Sequence, residues 1–289
     1  MLLKRLLPPL NPPIQSWQDQ RVWLVGASSG IGAALARALA RRGARVAISA
    51  RRADALETVR AAMAASAAAT TTDTTTHTAT HTSACTSAHA ALVLPLDVTD
   101  PSTVNAARDA IVAAWGGVDT VIWLAALWVP MEAATFDLAT ARRTIEVNQI
   151  GALNVLAASL PVLLAQGHGT FVLTASVAGW GGMPKALAYG QTKAALNHLA
   201  ETLWLELHGR GIGVTVVNPG FVDTPATAIN TFKMPALISA DEAAQRILAG
   251  LAAGEFNIHF PRRFTGFLAL LRHLPRRAWF AIVSRTTGV

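Results

Sequence analysis

The chain has 289 residues, with 24 Lys and Arg against 17 Asp and Glu, a formal charge of +7, and only 14% charged residues. A mean hydropathy of +0.37 with 52% hydrophobic residues excludes disorder as its main character and allows a sizeable buried core. The pI near 10.7 suggests nucleic acid or membrane until the charge is located: residues 1–255 carry a net +1, while residues 256–289 hold six arginines and no acid.

The N-terminal 1–20 read as an extension. Lys4 and Arg5 precede no apolar run of signal-peptide length, because Pro8, Pro9, Pro12 and Pro13 interrupt it. Short β-branched runs predict strands at 21–25, 45–49, 91–94, 120–124, 170–174 and 213–217, with a last one at 256–260. Between them, stretches of helical period predict helices at 30–42, 53–65, 101–115, 138–165 and 186–208, and another at 240–253 with Ser239 as its N-cap. This alternation specifies an α/β fold, a doubly wound parallel sheet in a single domain over 21–260, followed by a basic amphipathic C-terminal tail at 261–289. No stretch offers about 18 uncharged apolar residues; the nearest, 265–283, is broken by Arg272, His273, Pro275, Arg276 and Arg277. The single cysteine, Cys85, cannot form an internal disulfide, so a cytoplasmic location, soluble or peripheral, is the default.

One segment departs from the pattern. Of residues 61–91, 22 of 31 are Ala or Thr, which reads as a low-complexity surface insertion at about 66–90, a helix extension followed by disorder. His77, His81, Cys85 and His89 within it lack CxxC or HExxH spacing, so no metal site is assigned.

After the first strand comes Gly26-Ala27-Ser28-Ser29-Gly30-Ile31-Gly32, opening a helix. Glycines there allow a sharp turn, close approach to a phosphate and tight helix–strand packing, with the positive helix end facing a pyrophosphate. At the end of the second strand, where an NAD site wants a carboxylate, stand Arg51 and Arg52. Two guanidiniums suit a 2′-phosphate, so NADP is favoured, with NAD as the alternative. Asp97 after the third strand either accepts from an adenine amino group or caps the helix beginning near Pro101.

Tyr189, the only tyrosine, and Lys193 are spaced to share one helix face. A neighbouring ammonium or an oxidised nicotinamide is expected to lower the phenol pKa and make it a general acid or base. Ser176 follows a strand and could donate to a substrate oxygen; Asn148 lies within a long helix at a position suited to holding a water. Together the glycine cradle, Asp97, Asn148, Ser176-x-x-Gly179, Tyr189-x-x-x-Lys193 and Asn218-Pro219-Gly220 resemble the short-chain dehydrogenase/reductase family over roughly residues 21–260.

The resemblance implies a carbonyl or alcohol oxidoreductase using NADP or NAD. Tyr189 would exchange the proton, Lys193 hold the nicotinamide ribose, Ser176 orient the carbonyl and Asn148 support a proton-relay water. Val98, Ala125, Pro219, Gly220, Val222 and Thr224 would border the cofactor, and the long helices would build a homo-oligomer. Two departures stand out: Val25 replaces the family's usual threonine, and Trp123-Leu124-Ala125-Ala126 replaces Asn-Asn-Ala-Gly, a change expected to reshape the cofactor floor. Leu127, Trp128 and Trp180 either make the substrate pocket apolar or simply pack.

The tail alternates arginines with Phe, Leu and Trp around Pro275. Such a segment lies in a membrane interface, covers its own substrate cleft or contacts a partner subunit. No nucleic-acid module accompanies the arginines. The resemblance implies a small carbonyl or alcohol substrate, and the tail and the charge-poor composition favour an apolar one; a catalytically silent, membrane-attached nucleotide-binding scaffold is the competing reading.

Overall fold

The computed structural model describes residues 8–72 and 91–288. Most of the Ala/Thr-rich insertion, with His77, His81, Cys85 and His89, lies outside the described residues; within them no cluster of three or more His, Cys, Asp or Glu could hold a metal.

In chain order the elements are β1 (Arg21–Val25), α1 (Gly30–Ala40), β2 (Arg45–Ser49), α2 (Ala53–Thr72), β3 (Leu92–Val93), α3 (Pro101–Trp115), β4 (Thr120–Trp123), α4 (Leu138–Ile145), α5 (Gly151–Gln166), β5 (Gly169–Thr174), α6 (Leu187–Leu207), β6 (Ile212–Pro219), α7 (Ala240–Ala252), β7 (Asn257–Phe260), α8 (Arg262–Leu271) and α9 (Arg276–Thr287). All seven strands form one parallel sheet in the order β3-β2-β1-β4-β5-β6-β7. The order reverses between β1 and β4, and in open sheets of this kind the crevice at the carboxyl ends beside that reversal is the ligand site.

The strands are apolar throughout because both faces are covered. Val22 and Leu24 of β1, with Ile48 of β2 and Val217 of β6, face a core completed by α1 and α7. Their neighbours Trp23, Val25, Ala47 and Val216 point to the other core, against α3, α5 and α6. This period-two alternation places two large indoles inside: Trp23 and Trp123 are both fully buried. Trp23 donates from Nε1 to Ser49 Oγ at 3.0 Å.

Residues 8–20 pack on the domain rather than trailing from it. Asn11 donates to the Val214 carbonyl and accepts from the Val214 N–H, and Trp17 enters the core. Among the described residues one helical stretch, 138–166, is long and apolar enough by length and composition alone to cross a membrane, where the sequence pattern predicts none and offers 265–283 as the nearest. Its hydrophobicity serves the core, where Ala152, Val155, Ala158 and Leu163 are buried. Within that stretch Glu146–Ile150 forms one π-helical turn between α4 and α5, a local widening that recurs at functional sites. Asp100, not Asp97, caps α3 by accepting from the Ser102 N–H, whereas Ser239 caps α7 as its sequence predicts.

Candidate active site

Each cradle glycine has its own steric reason. Gly26 adopts φ +100°, and a Cβ there would fall on the backbone of Leu124 and Ala125. At Gly30, φ +53°, a Cβ would come within 2.9 Å of the Thr224 methyl, and at Gly32 one would strike the Gly26 carbonyl. The turn therefore closes on the segment after β4 and beneath the loop after β6. Leu124 and Ala125 both donate their N–H groups to the Val25 carbonyl, at 2.8 and 2.9 Å. Backbone bonds thus tie this segment to β1, and the Trp123 side chain fills the core instead.

Ser28, Ser29, Gly30, Ile31 and Gly32 line a cavity of about 1260 Å³ at the sheet's carboxyl edge. That exceeds a typical small-molecule pocket of about 300–1,000 Å³ and has room for a dinucleotide and a substrate together. Ser29, at the N-cap of α1, makes no side-chain cap bond, so the first-turn N–H groups are left for an anion. Arg51 and Arg52 line the same cavity beyond β2, and neither has an ion-pair partner among the described residues. Asp97 is held below the usual carboxylate range, first by the Thr99 N–H bond, with help from Arg143 and Arg51. Val98, Ala125, Pro219, Gly220, Val222 and Thr224 complete the lining.

Ser176, Tyr189 and Lys193 face this cavity from the far side of the switch point. Ser176 opens a 3₁₀ turn just past β5, its Oγ accepting from the Ala178 N–H at 3.2 Å. Gly179 ends that turn against α6: a Cβ would meet the Lys193 carbonyl carbon at 2.6 Å and the Ala194 nitrogen at 2.7 Å. The Ser-x-x-Gly spacing therefore lets the serine turn lie flat on the helix that carries Tyr189 and Lys193. Lys193 is 1% exposed and donates from Nζ to the Thr174 carbonyl at 2.8 Å. Its Nζ lies 5.4 Å from the Tyr189 ring centre.

The Tyr189 shift opposes the sequence expectation. Burial pushes its phenol up to about 12, outweighing the hydrogen bond from Ser176 that draws it down. Burial likewise drives the Lys193 ammonium down to about 7. Desolvation disfavours both charged forms, so at neutral pH Tyr189 stands as a protonated phenol, a proton donor.

Asn148 is the one predicted site residue that does not line the cavity. It lies fully buried in the π-helical turn. Its Oδ1 accepts from the Leu127 N–H at 2.6 Å, and its Nδ2 donates to the Leu127 carbonyl at 3.0 Å and to Thr192 Oγ1 at 3.2 Å. Thr192 passes the contact on by donating to the Tyr189 carbonyl at 2.7 Å. Asn148 is therefore a clamp between the post-β4 segment and the start of α6. A parallel chain runs behind Lys193: Asn218 donates to Asn197 at 2.9 Å, and Asn197 donates to the Lys193 carbonyl at 2.9 Å.

The indoles of ambiguous role separate cleanly. Trp128 lines the cavity, sets its edge against Tyr189 with centroids 4.8 Å apart and donates to Asn230 at 2.9 Å. Trp180 packs instead beneath the tail with Val177, Leu268 and Trp279. Sequence reasoning missed Thr192, although it sits inside the Tyr189-x-x-x-Lys193 motif, and it missed the apolar wall supplied by Phe264, Leu268, Leu271, Ile282 and Val283. The tail thus covers the cleft, one of the three placements its composition allowed.

Comparison with known proteins agrees with this geometry. The family model described as short chain dehydrogenase matches residues 20–233. An uncharacterized oxidoreductase of Myxococcus xanthus is 31% identical over 266 residues, spanning 91% of this chain and 95% of that protein. An uncharacterized oxidoreductase of Staphylococcus epidermidis is 29% identical over 228 residues, 79% of this chain and 89% of that protein. Among solved structures, a short chain dehydrogenase from Burkholderia cenocepacia in complex with NADP shares the fold at TM-score 0.73 and 22% identity, over 93% of this chain and 98% of that one. An alcohol dehydrogenase from Thermococcus sibiricus complexed with 5-hydroxy-NADP does so at TM-score 0.70 and 24% identity, over 84% and 96% of the two chains.

Proposed function

The chain belongs to the short-chain dehydrogenase/reductase family, and we propose that it reduces the carbonyl of a small apolar molecule, or oxidises the corresponding alcohol, with NADP(H) as its cofactor. The observation that carries this reading is the placement of Ser176, Tyr189 and Lys193 on one cavity with the glycine cradle, Arg51 and Arg52.

The residues present fit a dinucleotide phosphate. A Cβ at Gly26, Gly30 or Gly32 would collide with the Ala125 backbone, the Thr224 methyl or the Gly26 carbonyl, so only glycine lets the turn close to this shape at the head of α1. The N-terminal N–H groups of α1 suit a pyrophosphate, and Arg51 with Arg52 suits a 2′-phosphate. When bound, the nicotinamide cofactor supplies or accepts the hydride. Lys193, anchored on the Thr174 carbonyl, is the residue that would hold the nicotinamide ribose. Tyr189, which burial keeps protonated at neutral pH, donates the phenolic proton to the substrate oxygen in the direction of reduction. Ser176 donates to the same oxygen and orients it. Trp128 and the apolar wall from α8 and α9 exclude water and select an apolar substrate.

A panel of ketones, aldehydes and alcohols followed by NADPH and NADH absorbance tests the reading. Turnover of apolar carbonyls with a preference for NADPH is expected; no turnover with either cofactor would overturn it. We also propose a homo-oligomer on the long helices, whose Leu153, Leu164 and Leu205 are exposed. Sedimentation velocity showing only monomer would contradict that.

A further inference from the structure

The two tail helices have opposite faces of different character. Leu268, Leu271, Trp279 and Val283 are buried against Val177 and its neighbours, and several of them also line the cavity. On the outer side of α8, Arg263, Phe267 and Leu270 recur at spacings of four and three residues, which place them on one face. On α9, Arg276 and Arg277 stand one turn before Phe280. Phe267 is 54% exposed, Leu270 67% and Phe280 59%.

The charge of this face is one-sided. Arg262 pairs with Glu255 and Arg272 lies over the Trp180 ring. Arg263, Arg276, Arg277 and Arg285 have no acidic partner among the described residues, and no acid follows Glu255 in the sequence. Large apolar groups interleaved with unpaired arginines on a surface helix pair match an anionic lipid interface, with the arginines at the headgroups and the apolar groups below them. A second copy of the chain fits poorly, since a two-fold contact would bring this basic face onto itself. Nucleic acid would leave Phe267, Leu270 and Phe280 unpartnered.

We propose that the outer face of α8 and α9 docks the protein on anionic membrane surfaces. Phe267 is both exposed and part of the cavity lining, so the docked face adjoins the apolar end of the catalytic cavity. A lipid-dissolved carbonyl compound therefore has a short path to Tyr189. This last step deepens the functional reading above and rests on it; the docking itself does not.

The test is co-sedimentation of the full chain with phosphatidylcholine vesicles, with and without phosphatidylglycerol. Partitioning onto the anionic vesicles only, weakening as salt rises, is expected. Arg276→Gln with Arg277→Gln should lower it about 25-fold, at about fivefold per arginine, and Leu270→Ser with Phe280→Ser should lower it by at least about tenfold. Neither pair touches the cavity lining, so circular dichroism should read both as folded, and the salt dependence of the unaltered chain supplies a readout without any variant. No partitioning, equal partitioning onto neutral vesicles, or variants that pellet like the parent would overturn the proposal. So would a dimer lost on Leu270→Ser with Phe280→Ser. No turnover is read, so a catalytically silent chain that partitions sinks only the functional reading, and an active chain that stays in solution sinks only this one.

Discussion

Lys193 sits one helical turn from Tyr189 with its Nζ 5.4 Å from the ring centre, and burial shifts the two groups in opposite directions, each toward its uncharged form. The ammonium falls from 10.5 to about 7, while the phenol rises from 10.0 to about 12. Between pH values of about 7 and 10 the unfolded chain therefore binds the lysine proton that the folded chain has released, and stability rises with pH across that window. Below it both states are protonated and the burial penalty is present in full. The tyrosine acts later: its stabilising contribution is complete below pH 10.0 and lost as pH climbs through about 12. Thermal melts of the parent and Lys193→Met from about pH 6 to about pH 9 check this. The Met variant should gain most, relative to the parent, at the acid end, with the gap shrinking as pH rises; a constant or widening gap contradicts it.

Gly179→Ala should destabilise the fold by about 1–3 kcal/mol through overpacking, because its Cβ meets the Lys193 and Ala194 backbone. Turnover should fall as well, since Lys193 must shift. Gly182→Ala, where a Cβ meets nothing within 4 Å, should be near neutral. Chemical denaturation of both variants measures the difference, and equal midpoints would remove the steric reading of the Ser-x-x-Gly spacing.

Asn148→Ala leaves the Leu127 N–H and carbonyl without their partner, a loss of about 2–4 kcal/mol for two orphaned backbone groups. Asn148→Asp keeps an acceptor for the Leu127 N–H but turns an oxygen toward the Leu127 carbonyl, so it should not rescue. Melting temperatures within a degree of the parent for either variant would show that the clamp carries no weight.

Arg51→Ala should weaken NADPH binding by about 10- to 100-fold, the loss of a charge-assisted phosphate contact, and leave NADH binding close to unchanged. Calorimetric titration with both cofactors reads this directly. Equal losses for the two, or none, would move the 2′-phosphate contact elsewhere.

Much of this architecture was legible in local sequence. Strand positions follow from β-branched runs, and α3 begins and ends where Pro101 and Gly116 dictate. The glycine cradle and the Ser176, Tyr189 and Lys193 set carry their geometry in their spacing. What local sequence did not reveal depends on contacts made at a distance. Asp97 and Asp100 are interchangeable as caps until Thr99 claims Asp97. The Tyr189 shift turns on burial, which no i,i+4 spacing reports. Residues 138–165 read as one helix, and the contacts that Asn148 makes from the π turn to Leu127 and Thr192 are long-range. The tail's inner face became a cavity wall only through its packing on Val177.

Tyr189→Phe, assayed by NADPH absorbance in single turnovers with an apolar carbonyl that the parent reduces, tests the proton donor most directly. Removing the phenolic proton while keeping the ring against Trp128 should slow hydride consumption by about 100- to 10,000-fold, with NADPH affinity retained. A variant that turns over at the parent's rate would show that the proton comes from another group, and the mechanism would fall with it.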